Sequence, residues 1–153
     1  MKQKTIIQVW GKEGCGKSGT IKILKEELIK TYINTSYTYT LPLPNGDDIS
    51  DVLICLGYKV GIESMGDYLR AGGLQDRLND YVLKHNCDVI ICASRVYNDV
   101  SKHIKHLADT HGYRLIKVTN YRGDNPPFTP DELNQLSAIH IASLANQILI
   151  GSI

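Results

Sequence analysis

Apolar positions along the chain follow two spacings: short continuous runs, and stripes that recur every three or four residues. The first run, Thr5 to Trp10, is short and rich in β-branched residues, and predicts a strand. From Ser18 to about Tyr32 the apolar residues Ile21, Leu24, Leu28 and Tyr32 repeat at helical spacing. Residues 33–50, INTSYTYTLPLPNGDDIS, alternate Tyr37, Tyr39, Leu41 and Leu43 with Thr and Pro, which predicts an edge strand or an extended loop. Pro42 and Pro44 lack the N–H that a central strand needs, and PNGDD reads as a turn. The runs DVLICL and YKVGIES, separated by little more than Gly57, predict an antiparallel hairpin.

Beyond the loop MGDYLRAGG, Leu74, Leu78, Tyr81 and Val82 mark a helix ending near His85. DVIICAS is a continuous apolar run of the kind buried on both faces of a parallel sheet. Val100, Ile104, Leu107 and Ala108 give another helix, closed by Gly112. RLIKVTN is a further strand and YRGDNPPF a Pro/Gly loop. Thr129-Pro130-Asp131-Glu132 supplies an N-cap, a proline at the first helical position and a capping-box glutamate. The last helix it opens carries Leu133, Leu136, Ile139, Leu144 and Ile148. Strands alternating with helices predict an α/β fold of three layers: a mostly parallel sheet with helices on both faces and one antiparallel hairpin.

Composition narrows the partners. The 153 residues suit a single domain, 1–153, and a net charge of +1 lacks the basic excess of a nucleic-acid binder. No apolar run approaches the roughly 18–20 residues that span a bilayer, and the N-terminus has no signal-type stretch. Cys15, Cys55, Cys87 and Cys92 show no CxxC pairing; Cys55 and Cys92 sit in apolar runs, where a free thiol is a small hydrophobe. A reduced, cytoplasmic setting is expected.

The chemistry concentrates between the first strand and the first helix. Gly11-Lys12-Glu13-Gly14-Cys15-Gly16-Lys17-Ser18 fits G-x-x-x-x-G-K-[ST] at every fixed position. Glycines let the backbone curl so that successive N–H groups point at phosphate oxygens. The following helix, which runs on through Gly19, adds its positive end. Lys17 reaches β- and γ-phosphates in such a loop, and the Ser18 hydroxyl ligates magnesium. A chance match in a chain of this length is on the order of one in two hundred at ordinary residue frequencies.

On this motif the chain resembles the P-loop NTPase superfamily over its whole length, with a layout similar to small bacterial ATP-binding proteins without an assigned activity. The resemblance implies a nucleoside triphosphate and Mg²⁺. It also implies an acidic partner for the metal at the C-terminal end of a strand neighbouring the P-loop strand. Glu63, ending YKVGIE, is the candidate; Asp67, in the turn ESMGD, either faces the γ-phosphate or is a plain turn residue or helix N-cap; Asp88 begins its strand and belongs to the other edge.

Two branches of that superfamily offer comparisons. The order strand, P-loop, helix, extended segment, hairpin and ExxG (Glu63 to Gly66) is similar to small GTPases. Those read guanine with Asn-Lys-x-Asp after a later strand. Here the strand leads into Asn120-Tyr121-Arg122-Gly123-Asp124, without the lysine and with the aspartate one residue late, so ATP is expected over GTP. Asn120, Tyr121 and Arg122 can flank the base, Tyr121 or Arg122 by stacking, or form an ordinary loop. Small-molecule and nucleotide kinases instead close arginines over the transferred group. Arg95, directly after DVIICAS, fits that place, and residues 33–50 are the segment able to bind an acceptor or a protein partner.

The expected activity is therefore phosphoryl transfer or ATP hydrolysis by an Mg–ATP-binding protein, a small kinase or ATPase. The alternative is a nucleotide-dependent switch with little turnover of its own, in which 33–50 and ESMGD respond to the γ-phosphate. Cys15 is either a small residue fitting a tight loop or a reactive thiol, since Lys17 and the helix N-terminus favour a thiolate. His103, His106 and His111 share one helix without a local acidic or cysteine ligand and read as a solvated face.

Overall fold

The computed structural model describes residues 3–32, 36–40, 47–66, 73–96, 99–123 and 127–153, and of 36–40 the backbone alone. Six strands form its sheet: β1 (Thr5–Trp10), β2 (Ser36–Thr40), β3 (Ser50–Cys55), β4 (Tyr58–Glu63), β5 (Val89–Ser94) and β6 (Arg114–Val118). Their spatial order is β2-β3-β4-β5-β1-β6. β4, β5, β1 and β6 pair in parallel, and β3 is antiparallel to both of its neighbours. The fold is thus α/β with a mostly parallel sheet and an antiparallel hairpin, as the alternation of runs and stripes implied. β2 lies at one edge of the sheet, in keeping with its proline-flanked sequence.

The register explains how the runs bury two faces. Ile7, Val9, Leu53, Val60, Ile62, Ile91 and Ala93 belong to one apolar cluster, whereas Ile6, Val52, Ile90 and Cys92, the alternate positions, belong to another. Because successive side chains of a strand point to opposite faces, the two clusters lie on opposite sides of the sheet. The first is covered by α1 (Lys17–Thr31) and, along it, α4 (Pro130–Ile150). The second is covered by α2 (Leu74–Asn79), a π-helical turn (Asp80–Lys84) and α3 (Asp99–His111). The segment 74–84, read from sequence as one helix, is therefore an α-turn that widens into a π-turn. The widened turn keeps Tyr81 and Val82 buried while its end is closed by the His85 N–H on the Asp80 carbonyl at 2.9 Å.

α1 and α4 show local sequence and packing at work together. Ile21, Leu24 and Leu28 of α1 are fully buried, and each contributes about 1.5–3 kcal/mol by leaving water. Tyr32, at the end of α1, donates its hydroxyl to Asn146 Oδ1 of α4 at 2.5 Å. α4 begins as its sequence requires, with the Thr129–Glu132 capping box formed in both directions, and ends on Gly151 in the left-handed region. Its buried stripe differs from the one read off the largest residues: Leu136 and Ile139 are 51% and 48% exposed, while Ser137, Ala138, Ile141, Ala145, Ile148 and Leu149 face inward. Small side chains at Ala138 and Ala145 let α4 approach α1 closely, which a stripe of leucines would prevent. No helix among the described residues is long and apolar enough to cross a membrane.

Candidate phosphate-binding site

β1 ends at the C-terminal edge of the parallel strands, and the next residues turn over that edge. The Gly11 N–H donates to the Ser94 carbonyl at the end of β5, at 3.2 Å. Gly14 and Gly16 then take positive φ, 70° and 81°, and α1 starts at Lys17. At Gly16 the conformation and the space agree: an added Cβ would stand 2.2 Å from Asn134 Oδ1 on α4. A side-chain-bearing residue would be strained there and would have to displace the Asn134 amide.

The loop encloses its own lysine. Lys17 is only 8% exposed, and its Nζ donates to the carbonyls of Gly11 at 3.1 Å and Lys12 at 2.7 Å, with Cys15 Sγ at 3.7 Å. The N-terminus of α1 receives no side-chain cap and has no acidic residue in its first turn. Its amides and partial positive charge therefore face the loop without an anionic side chain of their own. The Ser18 hydroxyl donates to the Ser64 carbonyl at 3.0 Å, which leaves its oxygen lone pairs for a cation. A cavity of about 340 Å³ is lined by Glu13 to Gly19 and, across from them, Gly66. Gly66 comes this near because it lies flat on β5, where a Cβ would meet the Ala93 carbonyl carbon at 3.2 Å.

A second cavity, of about 180 Å³, shares Gly14, Cys15 and Gly16 with the first. Its other walls are Tyr121, Arg122 and Gly123, with Pro130, Leu133 and Asn134. The loop after β6 is thus brought to the glycine loop. Asn120 is buried and donates through Nδ2 to Thr20 Oγ1 at 2.5 Å, and Thr20 in turn reaches Asn134 Oδ1 at 3.3 Å. Tyr121 is fixed by its N–H to Ser137 Oγ at 2.8 Å and by stacking on His140, with ring centroids 6.0 Å apart.

The other residues singled out from sequence fall into three groups. Arg95 stands at the C-terminal edge, as its position after β5 implied, and its Nη2 lies 3.2 Å from Glu13 Oε1 of the glycine loop. Asp67 lies outside the described residues, as do residues 33–35 and 41–46 of the expected acceptor segment and Asp124. Glu63 does end β4, but β4 is not beside β1, because β5 runs between them. The Glu63 side chain is wholly buried on the α2 side of the sheet, where Arg77 Nε donates to its Oε2 at 2.7 Å and the Met65 N–H to its Oε1 at 3.1 Å. Burial pushes its carboxyl above the usual range, with the Arg77 guanidinium and the Ser50 hydroxyl pulling it back. Among the described residues no group of three or more His, Cys, Asp or Glu is arranged to hold a metal, His103 and its helix neighbours included.

Sequence reasoning missed Asn134, Ser64, Asp48 and Arg77. Ser64 accepts the Ser18 proton on its carbonyl, donates through Oγ to Asp48 Oδ1 at 2.7 Å and accepts at Oγ from the Ile49 N–H at 2.8 Å. Asn134, Asp48 and Arg77 lie in no motif and Ser64 is only a variable position of ExxG, and each reaches its partner by a contact distant in sequence. No protein-family model, characterised protein or solved structure matches this chain.

Proposed function

We propose that the chain is a P-loop protein of the three-layer NTPase type that binds Mg–ATP, and that phosphoryl transfer or ATP hydrolysis is its chemistry. The observation that carries the reading is the conjunction at one strand–helix junction of the Gly11–Ser18 motif, a buried Lys17 held by loop carbonyls, and an uncapped α1 N-terminus. The cradle fits the group: Gly16 takes a positive φ close against Asn134, and among the described residues the cavity over residues 13–19 is lined by glycines, Cys15, Lys17 and Ser18, with the exposed Glu13 as its one acidic side chain.

When bound, Mg–ATP supplies a phosphoryl group whose charge is partly neutralised by the metal. This chain's residues do the rest. Amides from Gly14 to Ser18 hold phosphate oxygens, and Lys17 offsets negative charge that grows on them. Ser18 offers an oxygen to the metal while its proton stays donated to the Ser64 carbonyl. Arg95, at the rim beside Glu13, is the chain's cation for an acceptor or a departing group. The cavity between Gly14–Gly16 and Tyr121–Gly123 takes the base, with Tyr121 and Arg122 as its flanking surfaces. The carboxylate that accompanies the metal is not Glu63 in this reading, because its oxygens are committed to Arg77, Met65 and Ser50.

One observation favours the switch as a second reading. Ser64 joins Ser18 directly to Asp48 and Ile49, which lead into β3 after the 33–46 segment. A change at the metal-binding serine is thereby felt at the start of the hairpin. Calorimetry with ATP and magnesium tests binding, and ADP release against a panel of small acceptors separates the readings. Acceptor-stimulated release supports the kinase; negligible turnover with a conformational response to ATP and none to ADP supports the switch. ATP should outcompete GTP for a fluorescent analogue, and GTP winning by about tenfold would show that another group reads guanine.

A further inference from the structure

The buried pair at the end of β4 is costly to assemble, since both ions leave water, and an apolar pair of similar volume often serves stability as well or better. Its geometry does something an apolar pair cannot. Glu63 holds Arg77 Nε on one carboxylate oxygen and the N–H of Met65 on the other, and Arg77 Nη2 reaches back to Met65 Sδ at 3.1 Å. The backbone is thereby pinned on both sides of Ser64. Ser64 is the residue whose carbonyl receives the hydroxyl proton of Ser18. Glu63 itself points to the other face of the sheet: Val60 and Ile62 of its strand pack in the cluster under α1, while Arg77 comes from α2, whose buried Leu74 and Leu78 belong to the opposite cluster.

We propose that the Glu63–Arg77 pair is a positioning device for the serine of the glycine loop: it fixes the 63–65 backbone so that the Ser64 carbonyl takes the Ser18 proton and the Ser18 lone pairs face the cation. Neither side chain touches metal or nucleotide. The inference rests on the Mg–ATP reading for its consequence, and on the hydrogen bonds alone for the pinning itself.

The test compares wild type with Glu63→Gln, Arg77→Met and the double variant Glu63→Leu/Arg77→Met, each checked for a cooperative melt. The double variant leaves no unpaired buried charge, so it serves where a single variant fails to fold. ATP affinity is measured by calorimetry with magnesium and again with EDTA, and amide hydrogen exchange is followed at residues 63–66 without nucleotide. Positioning predicts that magnesium's enhancement of ATP affinity falls about tenfold or more in Arg77→Met and in the double variant, while affinity in EDTA changes by less than about twofold. It also predicts that the Met65 amide exchanges faster. Arg77→Met is decisive because it keeps the carboxylate. If that variant retains full magnesium enhancement while Glu63→Gln loses it, Glu63 is a metal ligand and the proposal is overturned. Variants indistinguishable from wild type overturn it as well. A wild-type protein that binds no ATP, or whose affinity is indifferent to magnesium, overturns the Mg–ATP reading first and this inference with it.

Discussion

Lys17 and Cys15 occupy the same small loop, and their surroundings set what each can be asked to do. Two carbonyls, at 2.7 and 3.1 Å from the Lys17 ammonium, keep it in the loop with no carboxylate paired to it among the described residues, so its charge is available to an anion. Lys17→Ala should weaken ATP binding by about 1.5–3 kcal/mol, the value of a charge-assisted contact. The fold should survive, because the lysine's partners are loop carbonyls at the sheet edge. Equal ATP affinity in mutant and wild type by calorimetry would remove the phosphate-site reading. Cys15 differs from its three counterparts by position. Cys55, Cys87 and Cys92 are wholly buried, and burial pushes the Cys87 thiol up to about 12 and Cys92 higher still, where thiolate is negligible. Cys15 borders both cavities, with Lys17 Nζ at 3.7 Å. Iodoacetamide should therefore label Cys15 first, and Mg–ATP should slow that labelling; mass spectrometry showing another cysteine ahead of it would refute the argument.

At the scale of elements, α4 carries the sharpest consequence. Its inward face is built on Ala138 and Ala145 against α1, and its larger Leu136 and Ile139 stand half in water. Ala145→Leu should destabilise by about 1–3 kcal/mol, since the added volume must displace α1 or adopt a strained rotamer. Leu136→Ser should stay within about 0.5 kcal/mol, as exposed substitutions do. Urea denaturation distinguishes the outcomes, and a reversed order would mean that α4 is rotated. The consequence reaches the site, because Asn134, in the first turns of the same helix, packs on Gly16 and Gly19 and bonds Thr20. Lifting α4 from α1 would loosen the glycine loop, so Ala145→Leu should also weaken nucleotide binding.

The stability of the whole molecule carries pH-dependent contributions of opposite sign from two half-buried histidines and a buried carboxylate. His103 has a buried Nε2 with no hydrogen-bond partner among the described residues. Burial lowers His103 and His85 below the ordinary value of 6.5, aided by His106 near His103, and by Lys84 and Lys59 around His85 against Asp80. Between 6.5 and the lowered folded values the unfolded chain binds more protons, so this contribution is complete above 6.5 and is lost as pH falls. Glu63, raised by burial, acts with the opposite sign: its folded form takes up a proton first as pH falls, and its contribution declines as pH rises through the folded value. The difference between wild type and His103→Gln isolates one ring. Wild type should lose more midpoint temperature than the variant between about pH 7 and about pH 5, and parallel curves would show that His103 does not titrate differently on folding.

Much of this architecture is local. The glycine loop, its lysine and serine, the strand before it and the helix after it all lie between Thr5 and Tyr32, so nearest-neighbour physics fixes them: glycine permits positive φ, and apolar spacing of two or of three to four selects strand or helix. The α4 cap and the Gly112 and Gly151 endings are local in the same way. Strand order is not. Nothing in the β-branched runs says that β5 slips between β1 and β4, and that insertion takes Glu63 away from β1 and gives its carboxylate to Arg77. The phase of α4 was likewise decided by how closely two helices can approach, a property of the pair rather than of either sequence. Ser64, Asp48 and Asn134 acquire their partners only when the chain closes on itself, because a hydrogen bond between residues 16, 46 or 114 apart leaves no periodic trace in the sequence.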